Sequence, residues 1–191
     1  MLKIGLIVGS TRPNRFAEIA ARWIVEGASS QTDLQLEVLD LRDQQLPFLD
    51  EPEPPSLTGG VFSRPEAEAW RRKLEPLDGF ITTVAEYNHG PTAVLKNAFD
   101  SAHNEWVRKP LAFVGYGGAG GLRAVQQLRA IAIGLGMAPM RQDVLITIEP
   151  YMAARQGRPL DEFAHLVKAR DAMFANLVWW ASALKAARAA S

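Results

Sequence analysis

The sequence contains no cysteine among its 191 residues, and this absence excludes several kinds of chemistry. Without thiols the chain has no disulfide framework, no thiolate metal ligand and no cysteine nucleophile. Any oxidation–reduction reaction must therefore depend on a bound cofactor. The histidines at 89, 103 and 165 lack the spacing of metal ligands, so no metal site is predicted.

The sequence also lacks an excess of charge and a long hydrophobic run. Its 21 Lys and Arg residues balance 21 Asp and Glu residues. Binding along nucleic-acid phosphates requires a surplus of basic side chains, so no nucleic-acid partner is expected. No apolar run approaches the roughly 20 residues that span a bilayer, and residues 1–10 lack a signal-peptide pattern. We expect a cytoplasmic protein with no membrane association.

The residue pattern alternates between strand and helix along the whole chain. Five short apolar or alternating runs predict β-strands at 2–8, 34–41, 80–84, 111–115 and 144–148. Apolar residues at helical spacing predict helices at 15–28, 91–105, 121–135 and 160–188. This alternation predicts an α/β fold with a parallel sheet and helices on both faces. We interpret residues 1–191 as one domain, in which 151–191 form a C-terminal helical extension.

Two segments interrupt this alternation: residues 46–65, between the second and third predicted strands, and residues 150–159, before the last predicted helix. Residues 46–65 contain five prolines, with Pro76 just beyond, and this composition predicts irregular structure. The segment is too long for a plain connector, which leaves two interpretations open. It is either a disordered surface loop or a rim over a binding site. The role of the C-terminal helix also stays open at this stage.

In open parallel sheets, ligands bind beyond the carboxyl ends of the strands, which directs attention to three loops. The first, residues 9–16, reads Gly-Ser-Thr-Arg-Pro-Asn-Arg-Phe and precedes a predicted helix. Hydroxyl groups, guanidinium groups and helix N-terminal amides together favour a phosphate monoester. The loop has no P-loop lysine, so a nucleoside triphosphate is disfavoured. The alternative is a capped helix start with two solvent-facing arginines.

The other two loops are suited to a flat polar ring. Residues 86–91 read Glu-Tyr-Asn-His-Gly-Pro and can present backbone amides, although His89 alone is better explained as a turn residue. Residues 115–120 match the Gly-x-Gly-x-x-Gly pattern of dinucleotide sites. That pattern is weak here because it follows the fourth strand rather than the first. A close approach of backbone to a planar ring is the simpler interpretation.

The first two loops, together with Leu-Lys-Asn-Ala-Phe-Asp at 95–100, resemble the NADPH-dependent FMN reductase family. This flavodoxin-like group includes quinone, chromate and azo reductases. The resemblance covers about residues 1–148 and implies a flavodoxin-like three-layer α/β fold. Its five-stranded parallel sheet would have the order 2-1-3-4-5, with helices on both faces. One departure is Ala85, which stands where many members carry proline.

The resemblance also implies where the cofactor FMN binds. The residues implied for its phosphate are Ser10, Arg12, Asn14, Arg15 and Phe16, and those implied for its isoalloxazine ring are Glu86, Tyr87, Asn88, Gly117 and Gly118. NADPH or NADH would donate hydride to flavin N5, and a small acceptor such as free flavin or quinone would receive the electrons in a ping-pong reaction. The chemistry is centred on the flavin, so no catalytic side chain is implied. Family members assemble as homodimers or homotetramers.

Other functions for the same fold are kept as alternatives. A flavodoxin-type electron carrier, without NAD(P)H activity of its own, is similar in fold but usually strongly acidic. The balance of 21 basic and 21 acidic residues argues against that role. A dehydrogenase using residues 115–120 for NAD, and an interaction domain that has lost its cofactor, are weaker alternatives. On the helix beyond the second loop, structural roles are favoured over catalytic ones for Lys96, Asn97 and Asp100.

Overall fold

The structure of the protein is a computed structural model that describes residues 1–190. Strands and helices alternate along these residues. The strands are β1 (Leu2–Val8), β2 (Leu34–Asp40), β3 (Gly79–Ala85), β4 (Pro110–Tyr116) and β5 (Ala138–Ile146). The helices are α1 (Ala17–Ala28), α2 (Pro65–Leu74), α3 (Ala93–Asp100), α4 (Leu122–Gly134), α5 (Ile148–Arg155) and α6 (Ala164–Ala189), with a 3₁₀ turn at Leu160–Glu162.

All five strands join one parallel sheet in the order β2-β1-β3-β4-β5. The three inner strands, β1, β3 and β4, are almost entirely apolar and buried, as parallel strands covered on both faces must be. The chain reverses its direction across the sheet between β1 and β3. The carboxyl ends of these two strands therefore flank the position where ligands bind in such sheets. The predicted strand order is confirmed.

Two hydrophobic clusters cover the two faces of the sheet. Helices α1 and α6 contribute to one cluster, in which Trp23, Ile24 and Phe174 are buried against the sheet. Helices α2, α3 and α4 contribute to the other, which includes Trp70 and Trp106. The predicted three-layer arrangement is confirmed. Trp106 packs in the core against the rings of Trp70, Phe80 and Phe99.

Two of the helices were not predicted because each has proline near its start. Helix α2 begins at Pro65, and α5 has Pro150 as its third residue. Backbone amides in the first turn of a helix have no intrahelical partner, so proline removes no hydrogen bond there. Proline in these two places marks a helix start. In the sequence, both segments had the composition of interruptions between elements.

Several element bounds also differ from the prediction. Strand β5 begins at Ala138, six residues earlier than predicted, because the edge position of β5 leaves Arg141 and Gln142 exposed to solvent. Helix α3 ends at Asp100 and is followed by turns rather than continuing to 105. Helix α6 starts at Ala164, after the 3₁₀ turn. Within residues 1–190, no helix is both long and apolar enough to cross a membrane.

The proline-rich residues 46–64 form an irregular segment that is fastened to α3. The Asn97 side chain donates from Nδ2 to the Pro47 carbonyl at 2.8 Å and accepts at Oδ1 from the Leu49 amide at 3.1 Å. The Asn97 side-chain amide thus pairs with the segment as a neighbouring backbone amide group would. Lys96 and Asp100 form an ion pair one helical turn apart, with 2.5 Å between Nζ and Oδ2. These contacts give all three polar residues of α3 structural roles.

Candidate functional site

A cleft of about 170 Å³ lies at the carboxyl ends of β1, β3 and β4. It is lined by the three predicted loops and, unexpectedly, by α5. The lining residues are Ser10, Arg12, Pro13, Asn14, Arg15, Phe16, Ala85, Glu86, Tyr87, Tyr116, Gly117, Tyr151 and Arg155. Eight of the ten residues that the resemblance implied are in this lining. Asn88 and Gly118 are not, although each adjoins a residue that is.

Hydrogen bonds and close packing fix the start of the first loop, residues 9–16, where it leaves β1. The Gly9 amide donates to Thr83 Oγ1 at 3.0 Å, and Thr92 Oγ1 donates to the Gly9 carbonyl at 2.6 Å. A Cβ atom on Gly9 would lie 2.2 Å from the Thr83 carbonyl oxygen. No side chain fits at that distance, so glycine is required by the packing of the loop on β3.

The loop ends at an uncapped helix. Helix α1 begins at Ala17, and no side chain of the described residues accepts hydrogen bonds from its first turn as a cap. Asn14 has a φ of 52°, a left-handed conformation that asparagine tolerates and that turns the chain into the helix. Open first-turn amides and the helix dipole both attract an anion.

Two arginines at the cleft are free of acidic partners. The guanidinium of Arg12 lies 5.4 Å from the centre of the Tyr87 ring, a cation–π contact. Arg155 Nη1 donates to the Asn14 carbonyl at 3.4 Å. Across the described part of the chain, neither side chain forms an ion pair. The cleft therefore carries two uncompensated positive charges.

Arg15 is different, because its guanidinium is buried and already engaged. Both terminal nitrogens donate to the Asp40 carboxylate, one also donates to the Ser10 carbonyl, and Nε donates to Glu18 at 3.1 Å. Four of its five N–H groups are thus used. Burial raises the pKa of Asp40, but the Arg15 guanidinium outweighs burial and the pKa is lowered overall. Arg15 shapes the loop and keeps one N–H for a ligand.

The second loop forms a tight turn beside the first. The amide and carbonyl of Tyr87 exchange hydrogen bonds with those of Gly90 at 2.9 and 3.0 Å. Asn88 and His89, between them, have φ values of 51° and 71°, the positive pair that a type I′ turn requires. Tyr87 Oη and Ser10 Oγ share a hydrogen bond of 2.9 Å. This bond joins the first two loops across the cleft.

Glu86 connects the second loop to the third. Its carboxylate accepts from the Arg123 backbone amide at 3.1 Å and from Arg123 Nε at 2.6 Å. Helix α4 starts after Gly121, which offers no capping side chain, so Glu86 caps it from a distance. Glu86 is therefore committed to Arg123 and presents no free carboxylate to the cleft.

The third loop has an open backbone surface. Gly117 has a φ of 136°, which only glycine adopts readily, and a Cβ there would meet no heavy atom within 4 Å. Gly118 has the same open space. At Gly115, in contrast, a Cβ would lie 2.3 Å from the Gly120 carbonyl oxygen. The glycines thus serve two purposes: some permit the loop to close, and Gly117 leaves room at the cleft.

Three aromatic rings line one wall of the cleft. Phe16 stacks on Tyr151 with ring centres 4.4 Å apart and packs against Tyr116 at 5.1 Å. Phe16 therefore contributes packing rather than a polar contact. Tyr116, Tyr151 and Arg155 were missed by the sequence analysis. Tyr116 directly follows the strand predicted at 111–115, and its position was a usable signal, whereas the other two lie on α5, which was not predicted.

Tyr116 has an unsatisfied hydroxyl group. The residue is only 5% exposed, and its Oη has no hydrogen-bond partner in residues 1–190. Burial raises the pKa of Tyr116, and the nearby Tyr87 raises it further. Ser10 lies close enough to offset part of this rise, without the geometry of a hydrogen bond to Oη. The hydroxyl is therefore a protonated donor without an acceptor, as expected of a site that takes an anion.

The residues present fit FMN. The uncapped α1, the unpaired Arg12 and Arg155 and the orphaned Tyr116 hydroxyl suit a phosphate group. The open backbone at Gly117, beside the Tyr87 turn, suits a planar ring. The cleft is smaller than the roughly 300–1,000 Å³ that encloses a whole drug-sized ligand. It would therefore hold one end of FMN and leave the other end accessible.

The chain is similar in sequence to several named oxidoreductases. A Schizosaccharomyces pombe protein named NAD(P)H-dependent FMN reductase is 38% identical over 130 residues, which are 68% of this chain and 65% of that protein. A Nectria protein of the same name is 37% identical over 132 residues, 67% of this chain and 66% of its own length. The chain thus spans just under two thirds of these relatives. A Solanum tuberosum NAD(P)H:quinone oxidoreductase is 35% identical over 144 residues, which are 72% of this chain and 70% of that protein.

A solved structure and a family profile complete the comparison. The Paracoccus denitrificans flavoenzyme FerB, described as an NAD(P)H:(acceptor) oxidoreductase, superposes with a TM-score of 0.74. The superposition covers 95% of this chain and 98% of FerB, and at 22% identity it shows the shared fold alone. The profile of NADPH-dependent FMN reductases matches residues 2–149, which include all three loops of the cleft. The chain belongs to the NADPH-dependent FMN reductase family.

Proposed function

We propose that the protein is an FMN-dependent NAD(P)H oxidoreductase that passes electrons to a small acceptor such as free flavin or quinone. The observation that carries the proposal is a single cleft that joins an anion site at α1 to an open glycine backbone at Gly117. Family membership and the names of the relatives from S. pombe and S. tuberosum support it. When bound, FMN would supply the redox chemistry: its ring accepts hydride from NAD(P)H and then gives electrons to the acceptor.

The protein residues of this proposal bind and orient. Ser10, Arg12 and Asn14, with the first amides of α1, would hold the phosphate. Arg15 fixes the loop through Asp40 and offers its remaining N–H. These contacts position the ligand at one end, so that small movements of the ring are restricted.

At the ring end, the chain offers backbone rather than reactive side chains. Tyr87 and Asn88 present the turn, and Gly117 and Gly118 present the opposite edge. Glu86 stabilises both loops through Arg123 and takes no part in proton transfer. The site therefore needs no protein nucleophile or general base, in agreement with the lack of cysteine.

The remaining parts of the proposal concern the setting. NADPH and NADH are both proposed as donors, because the names of the relatives do not distinguish between them. A cytoplasmic homodimer or homotetramer is proposed, as the family resemblance implies. Exposed large apolar side chains such as Phe48, Leu57 and Trp179 are available for self-association.

Anaerobic reduction tests the proposed function. The purified protein, loaded with FMN, is mixed with NADPH or NADH in the absence of oxygen, and flavin absorbance is followed. We expect the oxidised flavin band to bleach with at least one nucleotide and to return when a quinone is added. If it bleaches with dithionite but with neither nucleotide, the protein is an electron carrier of the flavodoxin type. Initial rates at varied donor and quinone concentrations test the ping-pong order, which predicts parallel double-reciprocal lines.

A further inference from the structure

Arg155 is the one cleft arginine that lies outside the family match, which ends at residue 149. It is the last residue of α5 and contacts the first loop at Asn14. Its only hydrogen bond within residues 1–190 is the 3.4 Å contact with the Asn14 carbonyl. One guanidinium thus holds the loop weakly and has further donors to offer.

A phosphate bound in the cleft would need a second positive charge besides that of Arg12. A phosphate monoester carries about −1.5 to −2 charges near neutral pH. The positive charge of Arg15 is neutralised by Asp40, and Glu18 is paired with Arg42 at 2.6 Å. Arg12 alone would leave the phosphate partly uncompensated. Arg12 and Arg155 together match it.

Tyr116 provides a second, independent observation at the same place. Its buried Oη lies beside Ser10 and has no hydrogen-bond partner in the described chain. Ser10 Oγ shares a hydrogen bond with Tyr87 Oη, and where Tyr87 is the donor, Ser10 Oγ can accept one more hydrogen bond and donate its own proton. Tyr116 Oη makes no hydrogen bond to Ser10 in this structure. If it donates to Ser10 Oγ when a ligand binds, the Ser10 proton is left to point at the ligand.

We propose that Arg155 and Tyr116 complete the phosphate site for FMN: Arg155 donates directly to the phosphate, and Tyr116, by donating to Ser10 Oγ when FMN is bound, turns the Ser10 hydroxyl toward it. This inference rests on the proposed function, since it concerns the same cleft and ligand. It assigns α5 a binding role that the family match does not contain. It also explains why a tyrosine hydroxyl is buried without a partner where the helix α1 begins.

Comparing FMN with riboflavin, which lacks the phosphate, tests this assignment. Flavin fluorescence quenching gives the Kd of each ligand for the apoprotein of the wild type, Arg155→Gln and Tyr116→Phe. We expect each substitution to raise the Kd for FMN about tenfold, or about 1.4 kcal/mol, and to change the Kd for riboflavin less than twofold. Arg158→Gln is the matched control, because Arg158 pairs with Glu162 and does not line the cleft. It should leave both Kd values unchanged.

The outcomes separate the two levels of the proposal. If wild-type protein binds FMN no tighter than riboflavin, the cleft is not a phosphate site and the proposed function fails with this inference. If the wild type prefers FMN and both variants keep that preference, only the roles of Arg155 and Tyr116 are refuted. Equal losses for both flavins would also refute them. Tyr116→Phe keeps the packing on Phe16, so its apoprotein should melt at or above the wild-type temperature.

Discussion

Arg12, Arg15 and Arg155 line the same cleft but differ in what their guanidinium groups contact. Arg15 is buried on Asp40, whereas Arg12 stacks over a tyrosine ring and Arg155 reaches a single carbonyl. In the sequence, Arg12 and Arg15 lie in one loop and are equally good candidates to bind a phosphate. Only their partners in three dimensions distinguish the one that builds the loop from those that can bind a ligand.

Gly9 gives a prediction at this scale. Gly9→Ala places a Cβ 2.2 Å from the Thr83 carbonyl oxygen and 2.9 Å from Leu95 Cδ2. Because a backbone atom cannot move aside cheaply, we expect the free energy of unfolding to fall by about 1–3 kcal/mol. Urea denaturation of the apoprotein measures it.

The matched control is Gly118→Ala, at a glycine whose added Cβ would meet no heavy atom within 4 Å. Its stability should stay within about 0.5 kcal/mol of the wild type. Equal stability of both variants would show that β1 can shift away from β3 at the loop and that Gly9 is not required by packing.

At the scale of elements, α2 is joined to the start of β4 by one buried amine. Lys109 Nζ donates to the carbonyls of Leu74 and Glu75, both at 3.1 Å, at the C-terminal end of α2. Such a cation satisfies carbonyls that the helix leaves open. Burial nevertheless lowers the pKa of Lys109 to about 8, because it disfavours the charged form.

This pKa predicts how stability depends on pH. The unfolded chain has the ordinary lysine pKa near 10.5, so between about pH 8 and 10.5 the unfolded state binds more protons. The free energy of unfolding should therefore rise with pH across this window, by up to about 1.4 kcal/mol per pH unit from this residue. Urea denaturation at several pH values, compared between the wild type and Lys109→Met, isolates the contribution. Parallel pH curves for the two proteins would contradict it.

The elements also show where local patterns are ambiguous. Pro65 and Pro150 each predict a break in regular structure, but in the structure each lies in the first turn of a helix. A proline ends a helix when it comes late and is neutral when it comes early. The sequence alone does not show whether the residues before the proline or those after it form a helix that packs on the sheet. Packing of Trp70 and Leu74 in the core decides it for α2.

At the scale of the whole molecule, α6 is a structural layer of the domain. Phe174 and Leu177 are fully buried in the cluster that α1 and the sheet share. Near its end, Lys185 Nζ pairs with Asp78 at 2.8 Å, and Asp78 also accepts from the Lys3 amide at 3.0 Å. These contacts support the proposal that the chain forms one domain.

Substitution in α6 tests this proposal. Phe174→Ala removes a fully buried ring from the sheet face, and we expect a loss of about 3–5 kcal/mol in the free energy of unfolding. Ser182→Ala, at an exposed position of the same helix, should change stability by no more than about 0.5 kcal/mol. Circular dichroism and tryptophan fluorescence should report one common unfolding transition. Two separate transitions would mean that α6 unfolds apart from the sheet.

The sequence by itself determined the layers, the strand order through the family resemblance, and the three loops of the cleft. The layers and the three loops follow from short-range information: apolar periodicity within each element, and the rule that parallel strands end at one edge. The tertiary structure decided which arginines are neutralised, that Glu86 caps α4, and that α5 joins the site. Each of these depends on contacts between distant residues, such as Arg155 with Asn14 at a separation of 141 positions, which no local pattern encodes.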